Sequence, residues 1–221
     1  MDGSTRTPER SAWYALGAAA LAGLAGALPR VEGAPDPLAL LAWLTFLAPA
    51  AGALCGAFGV RLWPLGLLVP GLWMVLLVEV DLFSERDVRG AVAPGLVVAG
   101  LYLLGLGLGA LAPRRPAALA GALLLAGPLL SALAVAGGLL AGEGGFAAAH
   151  PAAQAVLLSA SPAWPVFDAA GWDWVHENPA IYRLGGVEWV PRRPLDGGLA
   201  GAVSCVVGCA SAMLLPRLTR R

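Results

Sequence analysis

The chain has 221 residues, of which 58% are hydrophobic and only 13% charged, with a formal net charge of zero and a mean hydropathy of +0.75. A soluble domain of this size carries charge on about a quarter of its residues, so a surface dressed entirely for water is excluded. The balanced charge excludes the basic footprint of a nucleic-acid binder.

The apolar residues come in long runs, the pattern of membrane helices. Residues 1–10 are polar and carry Arg6 and Arg10. The first run, 11–29, has a core longer than the about 7–15 residues of a signal-peptide h-region. It reads as a first span, with a cleaved signal as the alternative. The second run covers 38–59 and the third 64–80, separated only by Val60, Arg61, Leu62 and Trp63. The fourth covers 91–111 and the fifth 117–141, with Ala112, Pro113, Arg114, Arg115 and Pro116 between them. The last covers 197–215, followed by Pro216 and a basic tail at 216–221. About 20 helical residues cross a hydrocarbon core, and none of the runs alternates as a barrel strand would. The expected fold is an all-α, polytopic membrane bundle of about six transmembrane helices, spans one to five lying within 11–141.

Charge sets the orientation. With the N-terminus inside and the spans alternating, Arg6, Arg10, Arg61, Arg114, Arg115, Arg217, Arg220 and Arg221 all fall inside, eight of the 14 arginines. Of the 14 acidic residues only Asp2 and Glu9 fall inside. Short loops rich in Arg mark the cytoplasmic side, which predicts both termini in the cytoplasm. All 14 basic residues are arginine, among abundant Ala, Gly and Pro. This reads as the codon bias of a GC-rich, bacterial genome, and the expected location is the inner membrane.

Gly52 with Gly56, Gly105 with Gly109, and Gly197 with Gly201 repeat the four-residue spacing that lets helices approach closely. Cys205 and Cys209 share this spacing and read as small packing residues, since no His or carboxylate lies on their span. The third cysteine, Cys55, also lies in an apolar run, so no disulfide framework is implied. Pro49, Pro70, Pro94 and Pro128 are expected to interrupt their spans. Between their ends the spans hold essentially no Asp, Glu, His, Lys or Arg; Glu79 sits at the outer end of the third. Ion-coupled carriers keep such groups at mid-membrane, so an ion-driven pump is disfavoured; an apolar or lipid-like cargo, or no cargo at all, suits these spans.

Residues 142–196 form the most distinctive region, an outward segment holding both histidines and four of the eight tryptophans. Residues 152–160 are apolar and too short to cross, which fits a re-entrant or interfacial helix. Pro162 and Pro165 are expected to end it, and a second short helix is expected over 166–176. Aromatic residues favour the membrane boundary, so an aromatic outer cap is one reading. The other is a site built from Trp164, Asp168, Trp172, Asp173, Trp174, His176, Glu177, Tyr182 and Arg183. Asp173 and Glu177 share a helical face, but His176 lacks the second His of a zinc-protease motif. Ion pairs to Arg183, Arg192 or Arg193 explain the carboxylates without a metal or a catalytic role, and no cofactor is expected.

Six spans, cytoplasmic ends and the 152–160 element followed by Ser161 and Pro162 resemble the membrane domain of ABC-2-type permeases. The resemblance implies an exporter subunit that works with a separate ATPase. The chain holds no Gly-x-x-x-x-Gly-Lys-Ser/Thr motif, and no lysine at all. The family contacts its ATPase through cytoplasmic helices, notably between the second and third spans, where this chain has about four residues around Arg61. The alternative is a non-catalytic accessory or scaffolding subunit of a larger membrane complex. Membrane lipids, an ATPase, other membrane subunits or a second copy of the chain are the expected partners.

Overall fold

Pro8, Pro37 and Pro116 each open a helix, the position where a missing N–H costs nothing and a fixed φ favours the helical turn. In the computed structural model these helices are α1 (Pro8–Ala25), α2 (Pro37–Ala57) and α5 (Pro116–Leu139). The others are α3 (Leu68–Phe83), entered through a 3-10 turn at Leu65–Leu67, α4 (Arg89–Leu111), α6 (Ala163–Ala169) and α7 (Gly197–Leu218). The structure describes residues 8–27, 30–31, 34–35, 37–60, 65–83, 89–139, 161–171 and 197–218. Apart from a two-residue antiparallel pairing of Arg30–Val31 with Ala34–Pro35, the described chain is helical. Helices stand at all six apolar runs. Those at Pro37–Ala57, Ala91–Leu111 and Pro116–Leu133 are long and apolar enough to cross a bilayer.

The prolines act differently from one another. Pro49 and Pro128 lie well inside α2 and α5, where each removes a ladder hydrogen bond. Pro94 lies in the second turn of α4. Pro70 does not interrupt its helix as expected. It falls in the first turn of α3, where helices leave N–H groups unpaired in any case. Nor does Pro216 end the last helix, which continues to Leu218.

The most extensive contacts in the bundle are those of α4 with α7 and with α2. The α2–α4 seam is made by the two glycine pairs. A methyl group on Gly52 would overlap the Tyr102 carbonyl, and one on Gly56 the Leu106 carbonyl. Reciprocally, Gly105 faces the Pro49 carbonyl and Gly109 that of Ala53. The matches run in the same direction along both helices, so α2 and α4 are parallel. Of the third predicted pair, Gly201 has its surroundings described. Gly201 packs on Ala93 and Leu96, and its companion is Gly208, seven residues on, against Gly100 and Leu103. With Ser204 over Gly100 and Ser211 over Gly107, they form a small-residue stripe of 3–4–3 spacing. This stripe lays α7 parallel to α4. By contrast Met74 and Leu77 of α3 meet Gly95, while Trp73 meets Tyr102, so α3 is antiparallel to α4.

At its far end α1 is tied to α2. The Gly26 N–H turns back to Gly23, and the Trp43 indole N–H donates to the Ala22 carbonyl at 2.7 Å. The α2 terminus closes on Gly59, whose φ of +83° suits a residue without Cβ, with Val60 N–H bonded to Cys55. The buried core runs through α1–α4, with Leu40, Leu44, Trp73, Val97 and Tyr102 fully enclosed. By contrast α5 touches the body along a narrow edge, mainly against α2. Only 17% of its apolar window is buried, against 56% for α2 and 61% for α4.

Candidate functional site

Of residues 142–196, the structure describes Ser161 to Gly171. The helix there is α6, which starts three residues earlier than the expected 166–176 helix and stops at Ala169. Pro165 is the third residue of α6, still within the first turn, so it does not break the helix. At the other end the N–H groups of Ala170 and Gly171 return to Val166, Phe167 and Asp168, and Gly171 takes a φ of +70°. That left-handed turn explains the early stop.

Ser161 and Pro162 enter the bundle at its mid-height. The Pro162 ring packs at Gly127, halfway along α5, beside the Phe46 ring from the middle of α2. Ser161 is buried, and its hydroxyl lies 2.7 Å from that of Ser131. The Ser131 hydroxyl bonds the Gly127 carbonyl at 2.9 Å. A hydroxyl has one proton to give, so Ser161 is the donor to Ser131. From this anchor α6 runs between helices, in contact with α2, α4, α5 and α7. Ala163, Trp164, Val166 and Phe167 are buried.

Of the nine candidate residues, two are described. Trp164 is buried within the bundle, and Asp168 is half-buried near the end of α6. Trp172, Asp173, Trp174, His176, Glu177, Tyr182 and Arg183 lie outside the described residues, as do residues 152–160. Among the described residues no three His, Cys, Asp or Glu side chains gather where they could hold a metal ion. Cys205 instead donates its thiol hydrogen to the Leu96 carbonyl at 3.1 Å, within the α4–α7 seam.

Sequence reasoning missed two interior groups. Trp73 of α3 and Tyr102 of α4 meet edge to face, with ring centroids 5.7 Å apart and planes at 81°. Both are fully buried, and the indole N–H has no hydrogen-bond partner among the described residues. The Cys55 thiol of α2 lies beside the Tyr102 hydroxyl. Gly23 of α1 covers the indole nitrogen so closely that a Cβ there would overlap it. The other buried polar side chains are served: Thr45 bonds the Leu41 carbonyl at 2.7 Å, and the two serines bond as described. Both aromatic residues sit in apolar runs, and nothing in linear spacing marks an aromatic donor as unpaired.

No family model, no curated protein and no solved structure matches this chain.

Proposed function

We propose that this chain is a membrane-embedded, permease-like subunit of a bacterial exporter, without an ATPase or catalytic activity of its own. In this reading it crosses the inner membrane six times, with both ends in the cytoplasm. The observation that carries it is the entry of Ser161 and Pro162 at the mid-height of the bundle, between the fifth long helix and the last. A short buried helix that begins at the mid-height of the bundle, after the fifth long helix, suits a re-entrant element. Backbone of that kind is tolerated at membrane depth where protein surrounds it, as α2, α4, α5 and α7 surround α6.

The parallel course of α2, α4 and α7 supports the crossing number, because alternating spans place the even-numbered ones in one direction. Trp13 and Tyr14, both exposed near the start of α1, suit an aromatic belt at the cytoplasmic boundary. Among the described residues the buried polar side chains are uncharged: Thr45, Ser131 and Ser161. A route through such a bundle favours an apolar or lipid-like cargo over an ion.

A second reading, a non-catalytic accessory or scaffolding subunit, is favoured by one observation. Between the α2 end turn at Val60 and the turn that begins at Leu65 there are four residues. That leaves no room for a cytoplasmic helix to receive an ATPase. Purification from native membranes in mild detergent, with identification of the bound chains, separates the two. An ATPase in stoichiometric amount supports the exporter subunit. A stable complex of membrane subunits lacking ATPase activity supports the scaffold. A monomer without partners overturns both.

A further inference from the structure

We infer that α5 is a hinged helix: it bends at Gly127 and Pro128 so that its second half swings out from the bundle, and the Ser131–Ser161 hydrogen bond is the latch that holds that half in. The inference rests on the reading of α5 as a membrane span and not on coupling to an ATPase. It starts from how little holds the helix. Between Pro116 and Leu133 the buried residues of α5 are Ala120, Gly127 and Ser131, all small, while Leu124, Leu125, Leu129, Leu130 and Leu133 are exposed. Lipid is as apolar as leucine, so helices in a membrane are held together by close packing and by hydrogen bonds between them. An exposed leucine adds to neither.

The two halves are not held alike. The first is tied to α4 by the turn at 112–115, where the Ala112 N–H bonds Gly109, the Arg115 N–H bonds Ala112 and the Leu119 N–H bonds Arg115. Beyond Pro128 the buried side chain among those described is that of Ser131, at the Ser161 hydroxyl. Between the halves the helix is at its weakest. Pro128 has no N–H for the Leu124 carbonyl, and a proline ring crowds the carbonyl four residues back. Gly127 beside it lacks the restraint that a Cβ puts on the backbone. The Ser131 hydroxyl bonds the Gly127 carbonyl, a back-bond that bends helices. The latch is also easily released. Ser131 keeps its proton on Gly127 in either position, so opening breaks a single hydrogen bond, the one from Ser161. Phe46 and Pro162 pack on Gly127 itself, so they bear on the pivot and stay in place. The swing bares the Ser161 hydroxyl and opens the bundle sideways at the entry point of α6.

The test uses the full-length protein in lipid nanodiscs. Leu133 on the moving half and Val92 on α4, both exposed, are replaced by p-acetylphenylalanine and spin-labelled, which leaves the native cysteines in place. A second pair joins Val92 to Leu124, exposed on the fixed half. Pulsed electron resonance reads the distances. The Leu133–Val92 pair is expected to show a dominant shorter distance and a minor longer one. Ser161→Ala is expected to raise the longer population about fivefold, the effect of losing one hydrogen bond. Pro128→Ala is expected to abolish it. The Leu124–Val92 distance is expected to stay single and unchanged throughout, which also shows that each variant is folded. The hinge is overturned by a single Leu133–Val92 distance in wild type and Ser161→Ala alike, by a Leu124–Val92 distance that changes with it, or by Pro128→Ala opening as wild type does. None of these results bears on the chains recovered from native membranes, so the subunit reading stands or falls separately.

Discussion

Ser161 gives its hydroxyl proton to Ser131, and Ser131 passes its own to the Gly127 carbonyl, so the two serines are not equivalent. Replacing Ser131 with Ala strands the buried Ser161 hydroxyl, at an expected cost of about 1–3 kcal/mol. Replacing Ser161 leaves Ser131 bonded to Gly127, so Ser161→Ala is expected to cost about 1 kcal/mol or less. Reversible unfolding in mixed micelles measures both. Equal losses, or a larger loss from Ser161→Ala, would show that the proton runs the other way or that the pair does not form.

The glycines divide by what lies over them. Gly52 and Gly105 face carbonyl oxygens across the α2–α4 seam, and backbone atoms cannot swing aside as a side-chain tip can. Alanine at either position is expected to cost about 1–3 kcal/mol or more through overpacking. Gly17 and Gly121 have nothing within 4 Å of a Cβ, so alanine there is expected to stabilise its helix by up to about 1 kcal/mol. The same unfolding assay decides, and the idea of a glycine seam fails if all four variants behave alike.

A third expectation concerns the end of α1. The Trp43 indole bonds the Ala22 carbonyl, left free because the Gly26 N–H turns back to Gly23. Trp43→Phe keeps most of the ring and removes that bond, with an expected loss of about 0.5–1.5 kcal/mol. Amide exchange should quicken in residues 23–27 and remain unchanged in α4. Unaltered exchange at the end of α1 would mean that the indole bond does not hold that turn.

The helical elements were legible in the apolar runs because a hydrocarbon solvent leaves the backbone few alternatives. The helices departed from expectation at prolines: Pro70, read as a mid-span interruption, and Pro165, read as a stop, sit in first turns, and Pro216 lies inside α7. Glycine spacing named both partners of the α2–α4 seam without pairing them, since spacing along one helix carries no information about the facing one. The α7 stripe escaped because Ser204 and Ser211 count as polar in a hydropathy pattern while packing as small residues. Of the candidate site, the tryptophan of α6 was found by composition, yet its burial depends on the mid-height entry of Ser161 and Pro162, a tertiary fact.

The parallel course of α2, α4 and α7 gives a prediction that does not rest on the charge rule. Parallel helices that span a bilayer must end on one side of it, so cysteines placed at or just beyond the ends of α2, α4 and α7 should share a compartment. Phe58→Cys, Arg115→Cys and Arg217→Cys serve, because Phe58, Arg115 and Arg217 are exposed. Glu79→Cys, in exposed position toward the end of the antiparallel α3, should report from the opposite side. Each variant is treated with a membrane-impermeant maleimide in sealed vesicles of either orientation, and peptide mapping separates the new thiol from Cys55, Cys205 and Cys209. The first three are expected to label in the same vesicle orientation, and the fourth only in the opposite one. If Arg115→Cys and Arg217→Cys label from different faces, α4 and α7 cannot both be spans in the parallel arrangement. The re-entrant reading of α6 would then fail as well, because it requires one full crossing, α5, between them.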